Sequence, residues 1–281
     1  MNLAGLIYQL QCRWLPHTRT FDRLIAWQGF VFRHRRLPSD RPLFNDVIYA
    51  EKVADHLTDP IYGFTADKEH VKDFVAARVG RRHAVETLAV IRRAEDVDAH
   101  EFPADCCIKP THLSGNVILR QNGAGIDRAE IKRWFSLNHY ERSRELQYRD
   151  MRPKVIVEPL IGDPATLRDY KVFCHRGEPR VIQIDTDRFG DHRHSYFTPD
   201  FEELPFAIDV PRVEEPIERP AELEEMLEIA RRLSEPFGFC RVDFYISDRV
   251  YVGEITHHHN NGHSVFLPSS DEEKWSHVFL G

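Results

Sequence analysis

Two carboxylates near the carboxyl-terminal end of the chain have the spacing of a cation site. Asp243 lies in one strand-like run and Glu254 in the next, and the turn residues Ser247 and Asp248 join the two runs. Buried carboxylates among apolar residues are unfavourable unless a cation pairs with them. If both face the same side of the predicted hairpin, they could share magnesium ions that bridge nucleotide phosphates. A purely structural role is the alternative.

A second group of residues is typical of a phosphate-binding loop. Lys109 ends an apolar strand-like run, and a polar loop from His112 to Asn116, with Ser114 and Gly115 inside it, leads into the next run. Backbone N–H groups in such a loop can converge on phosphate oxygens while the lysine supplies a positive charge. A solvated lysine at a strand end has the same local pattern, so this signal is weak by itself.

A third group suits the recognition of a nucleoside. Glu158 ends an apolar run and is followed by Leu160 and Ile161, while Asp169 and Lys171 begin the next strand-like run. Such a linker can read an adenine edge with its backbone, and Glu158 would then accept from the exocyclic amine. Asp169 could accept from ribose hydroxyls, and Lys171 could meet the transferred phosphate. An exposed, salt-bridged strand is the alternative.

Two further groups could contact a second substrate. Asp185, Asp187 and Arg188 end a strand-like run, and they could orient that substrate, stabilise an acyl phosphate, or simply form ion pairs with each other. His257 and His258 begin a run of three histidines. Consecutive residues of an extended chain point alternately, so three such histidines seldom share one metal ion. A polar loop on the substrate side is therefore the prediction.

The elements that would position these residues alternate between helices and antiparallel strand pairs. Periodicity and turn residues predict helices over 44–58, 67–79, 127–138 and 220–235. They predict strands over 84–91, 105–110, 116–120, 154–158, 169–175, 179–186, 239–246 and 249–255. This order predicts an α+β protein with two sheet-bearing lobes rather than a doubly wound sheet.

Residues 1–36 form a separate basic section. Leu3, Leu6, Ile7, Leu10 and Trp14 recur at helical spacing, and six arginines face only one acidic residue. The prediction is a helix packed on the body of the protein. The alternative is a surface that approaches an anionic membrane or a charged glycan.

Composition limits the classes of function. The formal net charge of -7 argues against a general nucleic-acid binder, because such proteins are normally basic. The 5 cysteines have no paired spacing, which predicts free thiols and a cytoplasmic location. No signal peptide and no apolar run long enough for a membrane helix is expected.

Taken together, these segments resemble the ATP-grasp superfamily and, most closely, the TupA-like ATP-grasp family of polysaccharide biosynthesis. The resemblance runs from about Leu37 to about Pro268. Its motifs are short, but their order and spacing are specific. They are Asp67-Lys68 with Phe74-Val75, Ile108-Lys109-Pro110 with His112 and Ser114-Gly115-Asn116, Glu158 with Asp169-Tyr170-Lys171, Ile182-Gln183 with Asp185-Thr186-Asp187-Arg188-Phe189, Leu204-Pro205-Phe206, and Arg241-Val242-Asp243 with Gly253-Glu254.

The resemblance implies roles for single residues. Lys68 and Lys109 match the two lysines that contact nucleotide phosphates, and the loop from His112 to Asn116 matches the flexible phosphate-covering loop. The remaining matches are Glu158, Leu160 and Ile161 as the adenine-reading linker, Asp169 and Lys171 over the ribose and the transferring phosphate, Asp243 and Glu254 as magnesium ligands, and Arg241 as a cation near the acyl phosphate.

The sequence departs from the family at three places. The third metal position is usually Asn and is Thr256 here, and the loop after it usually reads Phe-Thr-Pro-Gly-Ser-Gly, whereas here it is the run from His257 to His263. The residues before Asp67 are also too few for the full N-terminal α/β domain of larger ATP-grasp ligases. The predicted organisation is a basic helical segment (1–36) and an ATP-grasp domain (37–281), with a smaller lobe (67–157) and a larger lobe (158–281) that carries the metal site.

The function implied by the resemblance is a carboxylate–amine ligase that uses ATP and Mg2+ and proceeds through an acyl phosphate. Lys68, Lys109, Lys171 and two magnesium ions would position the phosphates, and Arg188 and Arg241 would hold the carboxylate or its acyl phosphate. The product would be an amide between a glycan uronic acid and an amino acid. The alternatives are a kinase of the same fold acting on a sugar or polyol hydroxyl, and a non-catalytic scaffold in glycan synthesis.

Overall fold

The computed structural model describes residues 3–164, 166–186 and 192–281. The predicted site residues Asp187 and Arg188 therefore lie outside the described residues. The chain begins with helices α1 (Leu3–Trp14), α2 (Arg19–His34) and α3 (Phe44–Val53).

A buried arginine attaches the first two helices to the rest of the protein. Arg144 donates from Nε to the carbonyl oxygen of Cys12 at 2.7 Å and from NH2 to that of Leu15 at 2.6 Å. These carbonyls belong to the end of α1, where helical partners are missing. The same guanidinium pairs with the buried Asp22 of α2 at 3.0 Å. The prediction that the amino-terminal segment packs on the body is thereby confirmed.

The far half of α2 lies against the polar segment that follows the last long strand, here called the histidine segment (residues 257–263). A Cβ atom added to Gly29 would lie 2.9 Å from His263 Nε2 and 2.9 Å from the Tyr8 ring, so only glycine permits this approach. Arg33 Nε donates to the carbonyl oxygen of His263 at 2.7 Å. The helix and the histidine segment therefore form one packed unit.

A small antiparallel sheet follows, with strand order β1-β4-β2-β3. Its core contains the fully buried Ile131 and Trp134, which pack on Ile108 and Val155 of the sheet. The elements of this region are α4 (Pro60–Ala66), α5 (Val71–Val79), β1 (Ala89–Ile91), β2 (Cys106–Pro110), β3 (Ile118–Arg120), α6 (Arg128–Trp134), α7 (Tyr140–Ser143) and β4 (Val155–Glu158).

A larger antiparallel sheet has the order β11-β10-β5-β6-β7-β8, and a strand pair β12-β9 stands beside it. Its elements are β5 (Asp169–His175), β6 (Glu178–Thr186), β7 (Arg193–Phe197), β8 (Glu203–Leu204), β9 (Ala207–Ile208), α8 (Leu223–Ser234), β10 (Phe239–Ile246), β11 (Val250–Thr256), β12 (Phe266–Leu267) and α9 (Asp271–Leu280).

The two faces of the larger sheet differ in chemistry, because side chains alternate along a strand with a period of two. Val172, Ile182 and Val242 face one side, where they share an apolar core with residues of α5 and α8. Lys171 is their neighbour on β5 and faces the other side, where its register partners are Asp243 on β10 and Gln183 on β6. The functional residues are thus carried on the face opposite to this core, next to Phe173 and Val181, which belong to a second apolar cluster on the same face.

The predicted α+β class, with two separate sheets of three or more strands, is confirmed, whereas the predicted domain boundaries stay predictions. The prediction of one helix over 67–79 is wrong at its start. α4 ends at Ala66 and α5 begins at Val71, because the Asp67 carboxylate accepts from the Glu69 amide at 2.8 Å in a turn. The helix predicted over 127–138 ends at Trp134.

The predicted strand over 84–91 is wrong in its first half. Only Ala89–Ile91 is a strand, because the preceding residues are held by the larger sheet. His83 Nδ1 bonds the carbonyl oxygen of Val250 at 2.9 Å, and Ala84 forms an isolated bridge with Val252.

The described residues contain no helix long and apolar enough to span a membrane. All 5 cysteines are free, and 4 of them are buried, which confirms the prediction of free thiols. The cytoplasmic location stays a prediction.

Replacing His263 with Asn tests how α2 docks. Burial, with the nearby Lys52, lowers the pKa of His263 to about 3. The folded pKa lies below the unfolded value of about 6.5, so stability is lost as the pH falls from about 6.5 towards 3. We expect the free energy of unfolding of His263→Asn, measured by urea denaturation, to fall less steeply than that of the wild type as the pH is lowered through this range. The difference in slope should be up to about 1.4 kcal/mol per pH unit.

The matched control is His277→Asn, which replaces an exposed histidine of α9. Its pH dependence should follow that of the wild type. Parallel pH profiles for His263→Asn and the wild type would contradict a neutral, buried His263.

Candidate active site

Two rows of side chains cross the face of the larger sheet that carries Lys171, here called the charged face. In each row, residues on neighbouring strands are direct register partners, so their side chains lie within contact distance of one another. The first row is Asp243, Lys171, Gln183 and Tyr196, and the second row is Tyr245, Asp169, Asp185 and His194.

Arg241 organises the end of the first row. Its guanidinium contacts both oxygens of Asp243 at 2.6 Å, a bidentate pair, and lies 3.7 Å from Glu254. It also donates to Thr256 Oγ1 at 3.3 Å and to His259 Nδ1 at 2.5 Å. The predicted metal residues and the predicted catalytic arginine therefore lie together.

Asp243 and Glu254 are direct register partners on β10 and β11, as the predicted hairpin requires. Burial raises the pKa of Asp243 to about 6, although Arg241 opposes this effect. Burial also disfavours the charged form of Glu254, but Lys68 and Arg241 outweigh it and hold the pKa of Glu254 at about 2. Arg241 favours the ionised form of both carboxylates; the two differ because Lys68 favours ionised Glu254, while the charge of Glu254 raises the pKa of Asp243.

Lys68 connects this pair to the smaller sheet. Its ammonium group lies 3.3 Å from Glu254 and donates to the carbonyl oxygen of Leu113 at 3.0 Å. Leu113 belongs to the predicted phosphate-covering loop. One cation thus contacts both the carboxylate pair and the loop.

Glu158 is held by two lysines. Its oxygens lie 2.7 Å from Lys109 Nζ and 2.5 Å from Lys72 Nζ. The side chain is only 3% exposed, and although burial opposes ionisation, the two lysines lower the pKa of Glu158. Glu158, which was predicted to accept from the adenine amine, therefore accepts from the two lysines in this structure.

Lys171 is enclosed by two carboxylates of the second row. It forms an ion pair with Asp185 and lies 3.4 Å from Asp169. Burial opposes ionisation of Asp185, but Lys171 and His194 lower its pKa. Asp185 therefore remains charged and fixes the position of the lysine.

The donor set at the larger sheet suits Mg2+. Asp243, Glu254 and Thr256 offer only oxygen atoms, which Mg2+ prefers, and Mg2+ usually takes one or two carboxylates together with substrate phosphates. Arg241 and Lys68 neutralise these carboxylates in the structure. The residues present therefore fit a magnesium ion by chemistry and by register.

The predicted phosphate-covering loop divides into two parts. His112 is buried, and its ring bonds the carbonyl oxygen of Trp134 at 3.0 Å and the amide of Lys154 at 3.4 Å. Ser114 and Gly115 are exposed and Asn116 is half-buried, and Gly115 has a φ of 79°. The geometry gives His112 a bracing position, while the next residues remain open to a ligand.

The first histidines of the histidine segment point to different surroundings. His257 Nε2 bonds Thr65 Oγ1 at 2.8 Å, whereas His258 Nδ1 lies 3.5 Å from Glu145. Both rings are buried. Their predicted contact with a substrate stays a prediction.

A cavity of about 700 Å3 lies at the linker after β4. Leu160 and Ile161 line it, and Lys72 also reaches it. Lys72 also pairs with Glu158, so it connects this cavity to the ion pairs of the smaller sheet. The two lysines predicted from the family resemblance do not line the cavity.

Sequence analysis missed two lysines at the site, Lys72 and Lys154. Lys154 lies 3.0 Å from Asp67 and pairs with Glu69, so it holds the turn that carries Lys68. Lys72 follows Lys68 by four residues, a spacing that could have indicated a shared face.

A sequence model described as TupA-like ATPgrasp matches residues 54–279. No curated protein matches the chain.

Similar solved structures include D-alanine–D-alanine ligase from Helicobacter pylori, at 20% identity and a TM-score of 0.39, with 77% of this chain and 60% of that chain covered. The D-cycloserine synthetase DcsG is 17% identical, with a TM-score of 0.43 and 82% and 74% covered. The L-amino acid ligase from Bacillus licheniformis is 15% identical, with a TM-score of 0.41 and 85% and 53% covered. The chain spans less than two thirds of the Helicobacter ligase.

Replacing Glu158 with Gln tests the ion pair with the two lysines. The variant leaves Lys72 and Lys109 without their carboxylate, and breaking a buried pair in this way typically costs about 3–5 kcal/mol. We expect a loss of this size in the free energy of unfolding, measured in urea without nucleotide. Glu224→Gln, which breaks an exposed pair with Arg219, should change it by less than about 1 kcal/mol. Equal effects of the two substitutions would contradict the assigned role of Glu158.

Proposed function

We propose, because the chain belongs to the TupA-like ATP-grasp family of ATP-dependent ligases, that it activates a carboxylate with Mg-ATP and joins it to an amine. The observation that supports this most strongly is the set of buried cations paired with carboxylates that the two sheets contribute to one site. Lys68, Lys109, Lys171 and Arg241 all take part in it. Such an arrangement suits a polyanionic substrate whose negative charge is redistributed among phosphate oxygens during the reaction.

The ion pairs of the free protein support a direct role for the lysines. Lys68 and Lys109 neutralise Glu254 and Glu158, respectively. Phosphate oxygens can take the place of these carboxylates, and Glu158 is then free to accept from an adenine amine. We assign the linker residues Leu160 and Ile161 to the base, and Asp169 to the ribose.

The magnesium ligands in this proposal are Asp243 and Glu254, with Thr256 as the third oxygen donor. Bound Mg2+ supplies charge neutralisation for the nucleotide phosphates. The chain itself fixes both carboxylates on paired strands, and Arg241 remains beside them to hold an anionic substrate group.

The proposed reaction has two steps. A substrate carboxylate oxygen attacks the γ-phosphorus, an acyl phosphate forms, and ADP leaves. The amine nitrogen then attacks the acyl carbon, phosphate leaves, and the nitrogen loses a proton. We assign Lys171 to the transferring phosphoryl group, and Arg241 and Arg188 to the acyl phosphate.

The finer proposal is that the carboxylate belongs to a glycan uronic acid and the amine to an amino acid. It rests on the resemblance to a family of polysaccharide biosynthesis. We assign Asp185, Asp187, His257 and His258 to the acceptor side.

We also propose that α1 and α2 rest on a membrane that contains anionic lipids, where a lipid-linked glycan would be presented. Leu6, Ile7, Leu10 and Trp14 are exposed at helical spacing on α1, and Trp14 is 73% exposed. Arg13 stands among them. An exposed apolar face with arginines suits the interface of such a membrane, and the chain carries this basic section despite its net charge of -7.

The ligase proposal predicts release of ADP and phosphate that depends on both a carboxylate and an amine. Uronic acids paired with amino acids would be screened with Mg-ATP, and the amide product identified by mass spectrometry. Asp243→Asn should abolish turnover and weaken Mg-dependent ATP binding in calorimetry, because one carboxylate ligand is lost. Asp200→Asn, an exposed control, should behave as the wild type.

Three outcomes would count against the ligase. A stable phosphorylated sugar without phosphate release would favour the kinase. Equal ATP binding by Asp243→Asn and the wild type, with or without Mg2+, would favour a scaffold. Failure of every carboxylate–amine pair to release ADP and phosphate would sink the ligase proposal.

The membrane proposal predicts flotation with vesicles that contain phosphatidylglycerol and weak flotation with vesicles of phosphatidylcholine alone. A double variant, Leu10→Glu with Trp14→Glu, should lose flotation because it places charge on the apolar face. Leu88→Glu, at another exposed leucine, should retain it. Unchanged flotation of the double variant would exclude this surface.

A further inference from the structure

Three side chains beside Lys171 converge on one point. His192 Nε2 lies 3.4 Å from Asp185 Oδ2, and His194 Nε2 lies 3.5 Å from Asp185 Oδ1. The two histidine Nε2 atoms are 3.3 Å apart. Among the described residues, this is the group of histidine and acidic side chains whose ligand atoms lie close enough to hold one metal ion.

These separations match those of ligands around a tetrahedral metal ion. Metal–nitrogen and metal–oxygen bonds of about 2.0–2.1 Å at tetrahedral angles place neighbouring ligand atoms about 3.3 Å apart. The two histidine Nε2 atoms are 3.3 Å apart, which equals this value, and each of them lies 3.4–3.5 Å from a different oxygen of Asp185. With one ligand atom taken from each residue, all three lie within 4.8 Å of one another. A small cation bound here would share the Asp185 carboxylate with the Lys171 ammonium group, which contacts Oδ2.

The ligands are carried mainly by rigid structure. Asp185 and His194 are register partners on β6 and β7, and His192 directly precedes β7. Gln183 Nε2 donates to Asp185 Oδ1 at 2.6 Å, and His194 Nδ1 is 3.3 Å from the hydroxyl of Tyr196. Partners of this kind orient metal ligands and fix the histidine tautomer.

We propose that Asp185, His192 and His194 form a second metal site, for a divalent transition metal such as Zn2+. Two imidazoles and one carboxylate suit Zn2+ and its neighbours, whereas Mg2+ prefers oxygen donors. The site is therefore chemically distinct from the oxygen-only set of Asp243 and Glu254. Three protein ligands leave one coordination position for water or a substrate atom.

The proposed second metal site lies on the charged face, next to the residues of the proposed magnesium site. Asp185 also holds Lys171, whose register partner on the other side is Asp243. A bound divalent ion would thus lie one row away from the proposed magnesium ligands, with Lys171 between them. This inference concerns metal binding alone, so it does not depend on the proposed ligase reaction.

The test is calorimetry of chelator-treated, full-length protein with Zn2+ in the absence of nucleotide. We expect one Zn2+ per chain, retained against a competing excess of Mg2+. His192→Ala should weaken binding at least about tenfold, because a direct ligand is lost. The double variant with His194→Ala should bind no Zn2+ at this site. His277→Ala, at an exposed histidine, should bind as the wild type.

His192 is part-exposed, with 36% of its side chain accessible, so its single substitution should leave the fold intact. Circular dichroism of each variant checks this. Titration with Co2+, whose visible spectrum reports tetrahedral nitrogen and oxygen ligands, gives a second readout. Zn2+ affinity unchanged in His192→Ala, or a Co2+ spectrum unchanged in the double variant, would overturn the proposal. Loss of ligase activity with Zn2+ binding intact would concern only the proposed function.

Discussion

The arrangement of the candidate active site depends on the neutralisation of buried carboxylates by buried cations. Asp243, Glu254, Glu158 and Asp185 each contact a lysine or arginine inside the protein. A buried charge without a partner would be strongly destabilising, whereas a complete pair is roughly neutral for stability. The sheet can therefore carry many charges at little cost, provided that their signs alternate. The same alternation leaves cations that an incoming anion can recruit.

Sequence periodicity was sufficient to predict the part of the site that depends on local pairing. The hairpin of Asp243 and Glu254 needed only a turn and a period of two. The partners of Glu158 were not predictable in this way, because Lys72 and Lys109 reach it from separate elements. The same holds for His192 and His194, whose meeting with Asp185 requires the pairing of β6 and β7. Tertiary packing and strand pairing, which local propensity does not encode, decided these contacts.

Local signals also explain the errors in secondary structure. Helix α4 begins with Pro60, and the Asp59 carboxylate accepts from Ile61 at 2.9 Å, a start signal that was readable in the sequence. The strand predicted before Ala89 failed for a different reason, since His83 binds the larger sheet at Val250. No helix was predicted over 60–66, so in the first case a local signal was present but was not used, whereas in the second case tertiary contacts overrode local propensity.

The contact between Gly29 and the histidine segment has a consequence for how the protein could meet its substrate. Helix α2 is fixed against the histidine segment, which begins directly after Thr256. Any surface to which the amino-terminal helices bind therefore has a fixed orientation relative to the charged face. If that surface is a membrane, the cleft approaches it always from the same side. The enzyme would then need to find an anchored substrate only by diffusion within the plane of the membrane. Only substrate groups that project from the membrane to the height of the cleft would react.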